Sequence, residues 1–444
     1  MSGLFSMWET LRLLLLSPFT DGVWIFAFKF IPYVLFFELP MYLLILAGML
    51  HYVIRQAATP PCRQPFHPPV SCIITAYSEG ADVRQTIRSL AEQRYPGVIR
   101  IICVVDGAVR NRATLEAARG MAAYVGALPH RELTVVPKWQ RGGRVSGLNT
   151  GLSLATTEVL MAMDGDTSFD NDMVANAVVH FINPDVVGVA GSLRVRNASA
   201  TLWTRLQAIE YALSIQSAKA GLSEFNIVNN ISGAFGIFRR SFLKAIGGWD
   251  SGTAEDTDLT LRIKSYFGRH PKLRILFEPA AIGHTDAPES FRGFLRQRLR
   301  WDGDLFYLYV LKHRFAFSPA ILGWRNLAML IWTGLFFQLV MPIVIMVYTV
   351  WLFWLYPTPY VLAVMTIVYL FYLLMTTLFY VLFIAFFSER PKQDLRLALL
   401  LPVVPFFTFF TRVWAGVATL WEIVAASHLD SAMAPWYVLR KNKF

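Results

Sequence analysis

Two periods of hydrophobic residues divide this chain. From about Pro69 to Pro288, short runs rich in β-branched residues, "VSCIITAY", "IRIICVVD", "LTVVP", "EVLMAMD" and "VVGVAG", alternate with stretches such as "GADVRQTIRSLAEQ" whose apolar positions recur at helical spacing. That alternation predicts βαβ units and a mostly parallel sheet covered on both faces, an α/β fold over residues 69–290. In such a sheet a ligand sits at the carboxyl ends of the strands. Three of the predicted strands end there in polar residues: Tyr77-Ser78-Glu79, Asp106-Gly107 and Asp164-Gly165-Asp166.

Elsewhere the apolar pattern is nearly unbroken. Residues 327–388 contain no Asp, Glu, Lys or Arg, and at ~20 residues per crossing they predict two spanning helices. These are placed at 327–355 and 360–387, with "YPTP" at the turn between them. Another span is expected at 31–54, carrying Glu38 and Pro40. In the last apolar segment, 395–427, Pro402 and Pro405 predict an interfacial or re-entrant piece followed by a crossing helix. Within residues 1–30, "MWETLRLLLLSPF" is short and amphipathic and is expected to lie in the membrane interface rather than to act as a signal peptide. Residues 291–320 are expected to form further interfacial helices, and 428–444 a C-terminal tail.

Lysine and arginine beside the spans ("RQAATPPCRQ", "SERPKQDLR") put the α/β domain on the cytoplasmic side of the plasma (inner) membrane of a multi-pass protein. Parity then carries the basic "LRKNKF" to the far side, against the same rule. Either the Pro-broken segment fails to cross simply or the count is off by one.

Composition agrees with a membrane protein: 55% of the 444 residues are hydrophobic and 16% charged. The net charge of +11 fits anionic headgroups of a lipid bilayer and anionic ligands. Nucleic acid is not an expected partner, because the soluble part has no basic run interleaved with aromatics. Cys62, Cys72 and Cys103 lack metal-ligand spacing and are expected to be reduced.

Each candidate motif carries two readings. In "LMAMDGDTSFDND" a strand delivers Asp164 and Asp166 onto one loop, where converging carboxylates suit a hard cation such as Mg²⁺ or Mn²⁺; the alternative is an Asp-rich turn. Asp106 either accepts hydrogen bonds from a ligand or caps a helix. "KWQRGGRVSGLN" offers Arg141 and Arg144 on a glycine-containing loop, suited to a diphosphate or simply solvated. In "GGWDSGTAEDTDLTLRI", Glu255, Asp256 and Asp258 begin a helix and serve either as caps or, for one of them, as a general base. Gly233, Ala234 and Gly236 of "NNISGAFGIFRRS" leave room for a ring to lie against the backbone or for close packing. "FLRQRLRWDGD" reads as an interfacial helix with Phe291, Phe294, Leu295 and Leu299 on its apolar face.

Taken in order, Asp106, Asp164-Gly165-Asp166, Glu255-Asp256 and Gln297-x-x-Arg300-Trp301 resemble the processive family-2 glycosyltransferases of membranes, which make cellulose, hyaluronan, chitin oligosaccharides and poly-N-acetylglucosamine. The resemblance covers residues 69–302 and implies a GT-A-type, Rossmann-like domain inserted between transmembrane helices. It implies that Tyr77, Glu79 and Asp106 contact the uridine of a UDP-sugar donor, Asp164 the nucleotide, and Asp166 a divalent metal, Mg²⁺ or Mn²⁺, on the diphosphate. Asp256 matches the catalytic base, and Gly233 and Glu255 the acceptor side. Gln297 and Arg300 match the diphosphate side, and Trp301 the residue that stacks on the acceptor glycan. The implied reaction inverts the anomeric carbon and is repeated as the polymer crosses the bilayer.

The sequence departs from that pattern at three places: Ser78 stands for the usual Asn, Arg144 for a common Lys, and "DGD" (302–304) for a small or polar residue with glycine. Asp302 and Asp304 either cap a turn or pair with the arginines. "SGAFGIFRRS", "GGWD" and "QRLRW" look closest to the poly-N-acetylglucosamine branch, implying UDP-N-acetylglucosamine first and UDP-glucose second, with accessory membrane or secretion subunits as further partners. Two other functions remain open on the sequence: single-sugar transfer to a polyprenyl phosphate, and a non-catalytic transporter or scaffold.

Overall fold

The computed structural model of the chain describes residues 31–58, 66–250 and 253–430, together with Trp8, Glu9 and Arg12. The expected interfacial helix within 1–30, Cys62 and most of the 428–444 tail lie outside the described residues. Chain order begins with α1 (Val34–Ala58), whose first turn is π-helical. The α/β unit follows with β1 (Val70–Ala76), β2 (Ile99–Val105), β3 (Arg131–Pro137), α2 (Gly143–Leu154), β4 (Val159–Asp164), the two-residue β5 (Ser168–Phe169) and β6 (Val186–Val195). It closes with α3 (Leu202–Tyr211), α4 (Ala218–Glu224), β7 (Phe235–Arg239), α5 (Glu255–Lys264) and β8 (Arg274–Thr285). Then come α6 (Phe291–Phe306), α7 (Trp324–Leu355), α8 (Thr358–Phe386) and α9 (Val404–Ala425).

All eight strands form one sheet in the order β3-β2-β1-β4-β7-β6-β8-β5. β3 to β4 pair in parallel, as hydrophobic strands covered on both faces do. Alternate strand residues feed two cores: Val70, Cys72, Ile74 and Ala76 pack on one face with Ile99, Ile101, Cys103 and Val105, while Ile73, Ile102 and Val104 pack on the other. Cys72 and Cys103 are buried free thiols whose pKa is pushed up to about 12 by burial.

The sheet is more mixed than the sequence pattern predicts. β7 runs antiparallel to both β4 and β6, and β5 antiparallel to β8. This reversal builds the site. Because β7 points the other way, its amino end lies beside the carboxyl end of β4, and the Asp164 amide donates to the Ala234 carbonyl at 3.3 Å. β8 pairs in parallel with β6, which returns Thr285 and Asp286 to the same edge. A sequence reading misses β8 because Pro279 interrupts it; the register breaks there, between Gly191 and Ser192 of β6, so Pro279 is excused from the ladder.

Among the described residues, four helical segments are long and apolar enough to cross a membrane: Val34–Ala58, Trp324–Leu355, Thr358–Phe386 and Pro391–Ala425. The α/β unit is tied into them. Gly48 of α1 and Gly221 of α4 meet backbone to backbone, the usual way for two helices to approach closely. Beside them Glu224 receives His51 Nδ1 at 2.7 Å and the Arg55 guanidinium at 2.7 and 3.1 Å. Deeper among the apolar helices, Arg412 of α9 pairs with the buried Glu38 of α1, removing an unpaired charge from an apolar surround.

The apolar face of α6 is expected to rest on lipid; protein covers Phe294 completely and Leu295 and Leu299 in part, and Phe291 stays exposed. Phe294 is fully buried against Tyr380, Phe383, Val404 and Phe407, together with Leu206 and Ile209 of α3. α9 packs along the length of α6. Phe407 and Phe410 face Phe294 and Phe291 with ring centroids 5.4 and 5.7 Å apart, the Trp414 indole donates to the Leu295 carbonyl at 3.0 Å, and Gly303 lies against Ala418. Just past α9, His428 stacks on Tyr307 at 4.1 Å. Both ends of α9 therefore contact the α/β unit or the helix that leaves it.

Filling the Gly48–Gly221 contact with Gly48→Leu is expected to lower stability by roughly 1–3 kcal/mol through overpacking, read as a lower midpoint of thermal unfolding in detergent. The same substitution at Gly126, around whose Cβ position there is open space, is the control.

Candidate active site

The site is built on the carboxyl edge of the sheet. At the end of β1, Ser78 takes a left-handed conformation (φ 73°) that turns the chain and aims Glu79 inward. One oxygen of Glu79 is buried with no partner among the described residues, and burial, with Asp166 nearby, pushes its pKa up to about 7. Tyr77 is exposed, with the Arg141 guanidinium stacked 4.1 Å from its ring centre, which gives a flat platform with a cation over it.

At the end of β2, Asp106 is committed to the protein. Its oxygens accept from the amides of Gly142 and Gly143 at 2.8 and 3.0 Å and from Lys138 at 3.2 Å. It does not cap the helix that follows it in sequence; it takes the first amides of α2 and fixes the loop that leads into it.

Arg144, expected on a diphosphate, is an internal hub that also lines the site's cavity. Its Nε donates to Glu255 at 2.6 Å, Nη1 to the Thr75 hydroxyl at 3.1 Å and Nη2 to the Gly233 carbonyl at 2.6 Å, and it pairs with Asp164. Only the planar fork of arginine reaches four such partners at once, so this departure from lysine has a structural reason. Glu255 is buried, and burial raises its pKa.

Asp256 is aimed by the backbone. Ala254 adopts a left-handed conformation (φ 45°) just before α5, and the Asp256 carboxylate accepts from the amides of Gly233 at 3.0 Å and Thr257 at 2.7 Å. Gly233 is required there, because a Cβ would lie 2.9 Å from Glu255 Oε1.

These groups open into one cavity of about 530 Å³. Asp164 and Asp166 lie at one part of it; Gly233, Glu255, Asp256, Gln297, Arg300 and Trp301 line it, and Gln338 of α7 carries it among the apolar helices. Tyr77, Glu79 and Asp106 are not in its lining. Arg300 is exposed, and Gln297 Oε1 is buried with no partner among the described residues. Trp301, half-exposed, carries Arg298 5.1 Å from its ring centre, and Arg298 pairs with Glu210.

Among the described residues, no group of three or more His, Cys, Asp or Glu side chains is arranged to hold a metal ion by itself. The Asp166 carboxylate, with the unpartnered Glu79 oxygen near it, nevertheless suits a divalent cation that draws its remaining oxygens from a ligand.

The sequence reading missed several wall residues. Lys219 is half-buried, with its pKa pulled down to about 8 by burial, and Glu210, Arg298 and Ser214 complete the wall near Trp301. No spacing marks Lys219; it comes to the site because α4 is held against α1.

A model of the family described as "glycosyltransferase like family 2" matches residues 67–303. Over 234 residues the chain is 30% identical to a poly-β-1,6-N-acetyl-D-glucosamine synthase of Staphylococcus epidermidis, covering 52% of this chain and 53% of that one. Over 260 residues it is 30% identical to a probable glycosyltransferase, YdaM, of Bacillus subtilis, covering 57% and 60%. The chain thus spans about half the length of the curated relatives it matches. A mannosyltransferase from Pyrobaculum calidifontis, solved with GDP-Man and Mn²⁺, is 20% identical with a TM-score of 0.49, covering 86% of this chain and 99% of that one.

Removing the hub with Arg144→Met is expected to cost roughly 3–5 kcal/mol, because Glu255 and Asp164 lose a buried partner. Arg144→Lys should recover only part of this, with chemical denaturation as the measure.

Proposed function

The chain belongs to the glycosyltransferase like family 2, and from that premise we propose that it is an inverting, processive polysaccharide synthase. It takes a sugar from a UDP-sugar, UDP-N-acetylglucosamine first and UDP-glucose second, and adds it to a β-linked glycan that moves across the membrane. One observation carries this reading: a single cavity joins the Asp164–Asp166 edge, the Asp256 carboxylate, Trp301 and a residue of a membrane-length helix, Gln338.

In this reading Tyr77 and Arg141 receive the base, and Asp106 shapes the nucleotide subsite through the Gly142-Gly143 loop. Asp164 lies on the nucleotide side. Mg²⁺ or Mn²⁺ would be held by Asp166 with Glu79 behind it, and when bound it neutralises charge on the diphosphate. Arg300 and Gln297 face the same leaving group from α6, and developing negative charge is stabilised by such preorganised donors.

The glycan's terminal ring lies against Trp301, whose apolar face suits a pyranose without demanding one pattern of hydroxyls. Its attacking hydroxyl gives its proton to Asp256, held in place by the two amide bonds. Glu255, fixed by Arg144, and Gly233 shape the floor.

The four apolar segments and the position of "RQAATPPCRQ" and "SERPKQDLR" support a plasma-membrane protein with the α/β unit in the cytoplasm. A 22-residue helix such as α9 is about 33 Å long. Had it crossed, one end would lie a bilayer's thickness from the unit that both its ends touch. We therefore place the C-terminus on the cytoplasmic side, where "LRKNKF" no longer breaks the charge rule. A fluorescent protein fused after Phe444 should fold and fluoresce in the cytoplasm, and an alkaline phosphatase fused there should be inactive; the reverse pair overturns this topology.

The purified full chain in lipid nanodiscs should release UDP from UDP-N-acetylglucosamine in the presence of Mg²⁺ or Mn²⁺ and extend a glycan through many additions. A product of one sugar on a polyprenyl phosphate would replace the processive reading, and no UDP release from any UDP-sugar would remove the enzymatic one for these donors. Asp256→Asn should cut turnover by roughly 10²–10⁴-fold while UDP binding persists; near-normal turnover would refute the base assignment.

A further inference from the structure

The "DGD" of residues 302–304 sits at the junction of three elements. Asp302 and Asp304 both line the cavity. Gly303 lets α6 and α9 touch, since a Cβ there would lie 3.1 Å from the Ala418 carbonyl and 3.5 Å from the Glu422 side chain. Asp304 is buried, and the Thr253 hydroxyl donates to its Oδ2. Thr253 is itself buried and directly precedes Ala254, whose left-handed turn starts the segment carrying Glu255 and Asp256. From the other side comes Glu422 of α9, buried and covered by Ser427 and His428.

We propose that Asp304 is a positioning residue for the transfer reaction: it clamps the Thr253–Asp256 turn to α6, so that Asp256 and Trp301 keep a fixed separation across the cavity. The inference rests on the glycosyltransferase reading of this site. Asp304 does not touch the reacting atoms; it acts through Thr253.

The groups facing Asp304 explain why the clamp needs a neutral acid. Glu422 approaches from α9, Glu255 and Asp256 from α5, and Arg300, one turn earlier on α6, is the opposing cation. His428 is turned to Glu422. Burial first, then Glu422, push the Asp304 pKa up to about 8, so at neutral pH the carboxyl holds its proton. The sign follows: a carboxyl whose folded-state pKa is raised above its ordinary value stabilises the closed turn at low pH, and that contribution is lost as pH rises through about 8. Above that pH, the ionised Asp304 is a buried charge and the turn loosens.

The test uses the full-length protein in nanodiscs, with UDP release from UDP-N-acetylglucosamine followed from pH 6.5 to 9.5 and exchange of backbone amides over residues 253–258 followed in parallel. Wild type should lose kcat above about pH 8 while the same amides exchange faster. Asp304→Asn, which keeps a group able to accept from Thr253 and cannot ionise, should show a much shallower alkaline fall, with little pH dependence of the exchange beyond its intrinsic chemistry. Asp304→Ala should lower kcat about tenfold or more at every pH, with donor KM changed less than about threefold, as expected when geometry rather than donor binding is lost.

An alkaline limb in Asp304→Asn identical to wild type, or an Asp304→Ala enzyme with unchanged kcat, overturns the clamp. Absence of UDP release by wild type at any pH fails the glycosyltransferase reading instead, so the two failures are distinguishable.

Discussion

The site depends on one guanidinium. Arg144 sits between β1, β4, the Gly233 loop and α5, and gives each a hydrogen bond or an ion pair. Its side chain is 11% exposed and that of Glu255 6%, so little water is available to replace either partner. A buried charge pair of this kind is weak evidence for net stability, because desolvation opposes the attraction, but breaking it is costly. Its stronger effect is on geometry. With the fork filled, Asp164 and Gly233 cannot drift apart, and the sheet edge that would face the nucleotide stays in register with the loop that would face the acceptor.

A second constraint is the joint between the α/β unit and the apolar helices. No single contact makes it. Gly48 and Gly221 bring α1 and α4 into backbone contact, Phe294 enters a cluster drawn from α3, α8 and α9, and Asp304 meets the end of α9. The same contacts position wall residues of the cavity: Lys219 rides on α4, Trp301 on α6 and Gln338 on α7. A shift of a membrane helix is therefore transmitted to the cavity wall through packed side chains, which deform little. The helix bearing Gln297, Arg300 and Trp301 belongs to both parts, with one face in the cavity and the other in the apolar cluster.

Much of the architecture was legible. β1, β2, β4 and β6 are continuous β-branched runs with few alternatives, and the uncharged stretch from 327 to 388 leaves little but apolar helices. β8 was not legible, because Pro279 and the polar residues around it look like a loop until a register break excuses them. Within the site, the residues that sequence order singled out do converge: Asp164, Asp166, Gly233, Glu255, Asp256, Gln297, Arg300 and Trp301 share one cavity. The partners of the charged residues were not legible. Arg144 binds groups 20 to 111 residues away, and nothing in "RGGRVSG" marks which partners it takes.

The sequence by itself determined the elements that follow from local periodicity and chemistry: which runs are strands, which segments are apolar enough to span, and which carboxylates stand at strand ends. Those properties depend on neighbours within a few residues. The tertiary structure decided the antiparallel insertion of β7, the partners of Arg144 and Asp106, the protein cover over Phe294 and the pairing of α9 with α6. Each of these is a choice between partners far apart in the chain. A 3.6-residue apolar period is the same whether a helix faces lipid or another helix, so the pairing of α9 with α6 was visible only in the tertiary structure.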